Sequence, residues 1–212
     1  AGSGLSNPKL DSYPSQLGNL LGDNYQVENF SVSGRTMLKN GDYPIWNENV
    51  FTEALELKPD IVVILLGTND TKPHNWVYKD EYVSDYIAMI DTFRHVATEP
   101  IIYACYPPPA FIDNFGIRNS IITTDIIPMI DTIVDSTGVS FIDFYNPLID
   151  KGALFPDAIH PNNDGAWEMA KIVASSIADV NVDIETINEV NLAKGRPITA
   201  SGFNEFYSPE NL

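Results

Sequence analysis

Residues 61–66 read Ile-Val-Val-Ile-Leu-Leu. Side chains alternate sides along a strand, so six apolar residues in succession leave neither face of an extended segment fit for water. A strand with this sequence needs cover above and below. A second run, Ile-Ile-Tyr-Ala-Cys-Tyr at 101–106, repeats the pattern, while 25–32 and Val-Ser-Phe-Ile-Asp-Phe at 139–144 supply two further strands. Helical spacing fills the intervals. Tyr13, Leu17, Leu20 and Leu21 fall on one face of a helix with Pro14 near its start and Gly22 at its stop. A short helix follows at 49–57, and another at 78–97 carries Tyr82, Tyr86, Met89 and Phe93 on one side. A helix over 117–136 precedes the fourth strand, and Ala166, Ala170, Val173 and Ile177 mark a last one. Strands alternating with helices require crossover connections, hence a mostly parallel sheet and the α/β class.

In such sheets sites form where loops leave the carboxyl ends of strands. Four polar loops qualify. Ser-Gly-Arg-Thr (33–36) leaves the first visible strand, Gly-Thr-Asn-Asp (67–70) the second, and Tyr-Pro-Pro-Pro-Ala-Phe (106–111) the third. Phe-Pro-Asp-Ala-Ile-His-Pro-Asn (155–162) follows the fourth and sets Asp157 three residues before His160. That spacing suits a carboxylate that orients an imidazole, whose unperturbed pKa of about 6.5 lets it accept and return a proton. By itself it is also the spacing of an ordinary surface loop ahead of a helix, with Asn162 or Asn163 as N-cap.

The formal net charge of −17 argues against nucleic acid and anionic membrane as partners, since binding either needs clustered Lys and Arg. No stretch approaches the roughly 20 apolar residues of a membrane span. The single cysteine, Cys105, excludes an internal disulfide and sits in an apolar run where a buried structural thiol is expected. No metal is expected, because no second His or carboxylate cluster accompanies His160 at ligand spacing.

Asn-Phe-Ser-Val-Ser-Gly-Arg-Thr at 29–36, Gly-Thr-Asn-Asp at 67–70 and Pro-Asp-Ala-Ile-His-Pro-Asn-Asn-Asp-Gly-Ala at 156–166, in that order, resemble three of the four blocks of the SGNH hydrolases, the GDSL esterase family. The resemblance covers residues 1 to about 180. It implies a flavodoxin-like three-layer α/β/α sandwich that cleaves esters without metal or cofactor. Asp157 and His160 then correspond to two members of a catalytic triad, and Gly34 N–H and the Asn69 amide to donors of the oxyanion hole.

The first block, a Gly-Asp-Ser that carries the nucleophile, has no counterpart. The chain opens Ala-Gly-Ser-Gly-Leu-Ser-Asn, which aligns just beyond that block and places the expected serine about three residues before Ala1. The strand carrying the serine is the central one in the order 2-1-3-4-5, so a gap or a substituted strand is expected between 25–32 and 60–66. Ser3 is the nearest substitute nucleophile. At the other end, residues 191–212 begin Asn-Leu-Ala-Lys-Gly-Arg-Pro-Ile-Thr-Ala-Ser and resemble the opening of a discoidin-like, coagulation-factor-type carbohydrate-binding domain. The expected organisation is an esterase unit over 1–180 truncated at its N-terminus, a linker over 181–190, and the start of a second module over 191–212.

The remaining candidates have weaker claims. Asp70 is expected to fix its loop; His74 could line the cleft, and His95 falls within a helix. Tyr43, Trp46, Trp76, Tyr78, Tyr106 and Phe111 crowd the segments after the presumed catalytic loops, where aromatic faces suit sugar rings and also suit core packing. The resemblances together imply a secreted or cell-surface carbohydrate esterase that removes acetyl groups, anchored on glycan by its C-terminal module. The family also holds lysophospholipases and thioesterases, and a chain without its nucleophile is expected to be inactive, a glycan-binding or structural piece.

Overall fold

A computed structural model describes residues 4–185 and 196–201, with side chains over 4–177. Residues 1–3 with Ser3, residues 186–195, which hold half of the expected linker and the opening of the expected second module, and residues 202–212 lie outside the described residues.

Among the described residues five parallel strands form one sheet: β1 (Tyr25–Asn29), β2 (Ile61–Ile64), β3 (Ile101–Tyr106), β4 (Ser140–Asp143) and β5 (Arg196–Ser201), in the spatial order β1-β5-β2-β3-β4. All four pairings run parallel. The slot between β1 and β2, expected to be open or filled by a substitute, holds β5. Its residues pair Tyr25 with Arg196 on one side and Ile61 with Ile198 on the other. Among the described residues, the position expected of the serine-bearing central strand is thus occupied by the strand that comes last in sequence.

β2 shows why the sequence demanded three layers. Ile61, Val63 and Leu65 pack with Tyr13 and Leu17 of α2 (Tyr13–Leu21), which follows the single turn α1 (Pro8–Asp11), and with Ala166, Ala170, Val173 and Ile177 of α7 (Asn163–Glu185). Val62, Ile64 and Leu66 join the opposite core, built from α3 (Asn49–Glu56), α4 (Tyr82–Arg94) and α6 (Ile127–Thr137). Burying one such aliphatic side chain stabilises the fold by about 1.5–3 kcal/mol, and truncating Ile64 to Ala would cost about 2–5 kcal/mol because both walls are already filled.

The expected inner faces hold for Tyr82, Tyr86, Met89 and Phe93 of α4 and for all four marker residues of α7, which are buried. In α2, Tyr13 and Leu17 are buried but Leu20 is exposed. β1 is shorter than the expected 25–32, ending at Asn29, where the chain turns away to deliver Gly34. The helix expected over 117–136 is composite. A short α5 (Asn119–Ile121) widens into a π-helical turn over 122–126 before α6 begins. Pro128, lacking the N–H that would bond the carbonyl of residue 124, stands just beyond the widened turn. No helix among the described residues is long and apolar enough to cross a membrane.

Candidate active site

After β4 the chain passes two 3-10 turns, Asn146–Leu148 and Gly152–Leu154, and reaches the loop that holds Asp157 and His160. One oxygen of Asp157, Oδ1, accepts the backbone N–H of Ile159 at 3.0 Å and of His160 at 2.6 Å, so the carboxylate organises its own turn. Closing that turn puts Ala158 in the left-handed region at φ 71°. The other oxygen, Oδ2, lies 2.6 Å from Nδ1 of His160. Partial burial pushes the Asp157 carboxyl up, but hydrogen bonds from His160 and Ile159 outweigh it and hold the group below its ordinary value. An ionised Asp157 selects the tautomer with its proton on Nδ1, which makes Nε2 the basic nitrogen of the ring. His160 is buried, 1% exposed, and Asn162 just beyond it accepts the N–H of Gly165 through Oδ1 at 2.9 Å, capping α7.

The loop after β1 carries Gly34 at φ 73°, a conformation that glycine adopts without strain. The next residue, Arg35, offers its carbonyl to the Asn69 side chain, with Nδ2 at 3.3 Å. Asn69 is buried, and its Oδ1 has no hydrogen-bond partner among the described residues. Asn75 braces the same residue by donating Nδ2 to the Asn69 carbonyl at 3.0 Å. Asp70 does what the sequence led us to expect. Its carboxylate accepts Leu38 N–H at 2.8 Å and Met37 N–H at 3.1 Å, tying the first loop to the second. Complete burial raises Asp70 to about 7, against the lowering influence of those two N–H groups.

The third loop completes the rim. Arg118 donates its backbone N–H to Thr71 Oγ1 at 3.0 Å and Nε to the Thr71 carbonyl at 2.7 Å. Asn114 Nδ2 donates to the Asp157 carbonyl at 3.0 Å, and Phe111 N–H to the Ala158 carbonyl at 2.9 Å. Gly34, Asn69 and the Asp157–His160 pair are therefore joined, loop to loop, at the carboxyl edge of one sheet. Two further residues belong to this rim and were not singled out from sequence. Asn114 is one, and Phe115, whose ring lies over that of His160 at 5.6 Å between centroids and a tilt of 58°, is the other. Asn-Phe-Gly at 114–116 is a turn signal, but nothing local says where such a turn points.

The other candidates sort by burial. Trp76 is buried with Nε1 bonded to Asp125, Trp46 donates to the Met37 carbonyl, Phe111 packs on Phe155, and Tyr106 bonds Asp131. Tyr43 and Tyr78 are exposed, Tyr43 with Arg35 over its ring at 5.3 Å. His74 is exposed with Nε2 3.0 Å from Asp42 Oδ2, and Asp42 Oδ1 accepts at 2.9 Å from Nδ2 of Asn75, the residue that braces Asn69. His95 is exposed at the C-terminal end of α4, and Cys105 is buried in β3.

The sequence model of the GDSL-like Lipase/Acylhydrolase family matches residues 1–167. An acetylxylan esterase of Xylanibacter ruminicola is 39% identical over 194 residues, which cover 83% of this chain and 40% of that protein. The chain thus spans about 40% of the length of the curated relative it matches. Among solved structures, a carbohydrate acetylesterase from Sinorhizobium meliloti superposes with a TM-score of 0.64 at 18% identity, covering 82% of this chain and 87% of that one. An acetyl xylan esterase superposes with a TM-score of 0.62 at 19% identity, covering 79% and 91%. At such identities the two superpositions speak to the fold.

Proposed function

Because this chain belongs to the GDSL-like lipase/acylhydrolase family, we propose that it is the hydrolase unit of a carbohydrate O-acetylesterase, with Asp157 and His160 as catalytic residues and Gly34 and Asn69 as oxyanion donors. The observation that carries the reading is the 2.6 Å contact between Asp157 Oδ2 and His160 Nδ1 on the rim that also bears Gly34 and Asn69. The 39% identity to an acetylxylan esterase supports acetylated xylan, or a similar glycan, as substrate.

The proposed reaction is acyl transfer through a serine. As the serine Oγ bonds to the acetyl carbonyl carbon, its proton passes to His160 Nε2, and the carbonyl electrons move onto oxygen. Gly34 N–H and Asn69 Nδ2 donate to that oxyanion, together with the serine's own N–H. Collapse breaks the bond to the sugar oxygen, which takes the proton from Nε2. Water then repeats the sequence on the acetyl-enzyme and releases acetate. Asp157 stays ionised throughout, holding the tautomer and offsetting the imidazolium charge.

We assign the nucleophile to a Gly-Asp-Ser preceding Ala1. Support comes from the alignment of Ala1 and Gly2 with the positions that come after this block, and from the path of the chain at Gly4. A Cβ on Gly4 would stand 2.6 Å from the carbonyl oxygen of Pro161, the residue after His160. The N-terminal segment therefore enters the fold beside the catalytic histidine. A polymeric glycan substrate fits an enzyme working outside the cell.

The test uses a serine-directed fluorophosphonate and p-nitrophenyl acetate. Residues 1–212 should show neither labelling nor turnover, while the same chain extended upstream through Gly-Asp-Ser should be labelled at that serine and turn over. Labelling at Ser3 in the shorter chain would overturn the nucleophile assignment. Turnover retained by His160→Ala in the longer one would overturn the catalytic assignment.

A further inference from the structure

Phe115 is held where a phenylalanine is costly. The Ile117 N–H donates to the Asn114 carbonyl at 2.8 Å, closing a tight turn with Phe115 at φ 52° and Gly116 at φ 78°. Gly116 adopts this conformation freely, whereas a bulky side chain at positive φ costs on the order of 1–2 kcal/mol. Core burial does not explain the choice, because Phe115 is 43% exposed and Ile112 on the same loop is 70% exposed. The surroundings impose it instead. Asn114 is tied on one side to the Asp157 carbonyl, Arg118 on the other to Thr71, and the Phe115 N–H bonds Asn114 Oδ1 at 2.9 Å. The turn is thus stapled to both loops that carry the proposed catalytic groups, and its strained residue sets a half-exposed ring against His160. Backbone strain maintained by such staples beside a reacting group points to a use for the side chain.

The direction of proton transfer says which part of a substrate that ring meets. The acyl oxygen belongs between Gly34 and Asn69. The imidazole faces the departing alcohol, to which it returns the proton, so a wall over the imidazole lies on the alcohol side. We propose that Phe115 is a specificity-determining residue for the leaving group, its exposed face packing on the pyranose ring that bears the acetyl ester. Aromatic faces suit the axial C–H groups of a sugar, and a ring fixed by backbone strain loses little freedom on binding. The assignment rests on the carbohydrate-ester reading above.

Binding needs no nucleophile, so residues 1–212 serve for the test. Acetylated xylotetraose is titrated calorimetrically into the wild-type chain and into Phe115→Ala, Phe115→Gly, Phe115→Tyr and Phe115→Trp, with the thermal midpoint of each recorded. Loss of the aromatic face in the Ala and Gly variants should weaken binding about fivefold or more, while Tyr and Trp stay within about twofold. Phe115→Gly also relieves the turn, so weak binding at an undiminished thermal midpoint separates the lost face from a damaged fold. Wild-type affinity in both truncated variants overturns the assignment and leaves the carbohydrate reading standing. A wild-type chain that does not bind acetylated xylotetraose overturns the carbohydrate reading, and the role of Phe115 toward a sugar falls with it.

Discussion

Asp70 accepts the backbone N–H of Leu38 at 2.8 Å in a site closed to water, so the loop bearing Gly34 hangs from the loop bearing Asn69. Met37 N–H bonds the other oxygen, and both residues are buried. Removing the carboxylate leaves two buried donors unsatisfied, each costing about 1–3 kcal/mol. Asp70→Ala should therefore lower the unfolding free energy by about 2–5 kcal/mol in urea, and in the serine-containing protein should depress the proposed esterase turnover more than its stability loss accounts for.

The same group gives a pH signature. Its pKa in the fold is raised to about 7, above the unfolded value of about 3.9, so the folded state holds the proton more tightly. The stability this confers is complete below about pH 4 and is lost as pH rises through 7. The thermal midpoint of wild type relative to Asp70→Asn should fall between pH 4 and pH 8, and a rise over that interval would contradict the assignment.

Asp157 titrates with the opposite sense, because its pKa is held down by His160 and Ile159 against partial burial. Its contribution to stability is present above its unfolded pKa and disappears as pH falls through the lower folded one. In the proposed mechanism, Asp157→Asn no longer selects the Nδ1–H tautomer, and kcat in the serine-containing protein should drop about 10⁴-fold. Steady-state kinetics on p-nitrophenyl acetate at pH 7 would read this directly.

In the serine-containing protein, Asn69→Ala would remove one of the proposed oxyanion donors. The expected loss is about 10²–10³-fold in kcat with little change in KM, since the donor acts on charge present only in the transition state. A rise in KM at constant kcat would instead mark Asn69 as a ground-state contact.

Ala158→Gly should stabilise the protein. An L-residue in the left-handed region costs about 1–2 kcal/mol, against the roughly 0.5–1 kcal/mol of backbone freedom that glycine gives up on folding. Relief of φ 71° therefore prevails, with a net gain of about 0.5–1 kcal/mol in urea denaturation.

What sequence could tell depended on whether the signal was local. The unbroken apolar run at 61–66 required cover on two faces, and β2 distributes those side chains between two cores. Ala166, Ala170, Val173 and Ile177 followed helical spacing into a single core. Asp157 and His160 sit three residues apart, close enough for one turn to bring their side chains together. Phe115 was not legible, because its conformation runs against the preference of phenylalanine and is imposed by Asn114 and Arg118 reaching to distant loops. β5 was not legible either. Arg-Pro-Ile-Thr-Ala-Ser lacks the continuous apolar run of a strand covered on both faces, and Pro197 lacks an N–H for the ladder, a poor prior for a central strand.

β5 also makes joining the sheet a long-range event when residues 1–212 are refolded on their own. Tyr25 and Ile61 are brought into one sheet by Arg196 and Ile198, from the far end of the sequence. The pairs β2-β3 and β3-β4 need only a helical crossover each. Pairing across such separations is slow, and in refolding residues 1–212 the facing edges of β1 and β2 stay open to pairing with another molecule until β5 docks.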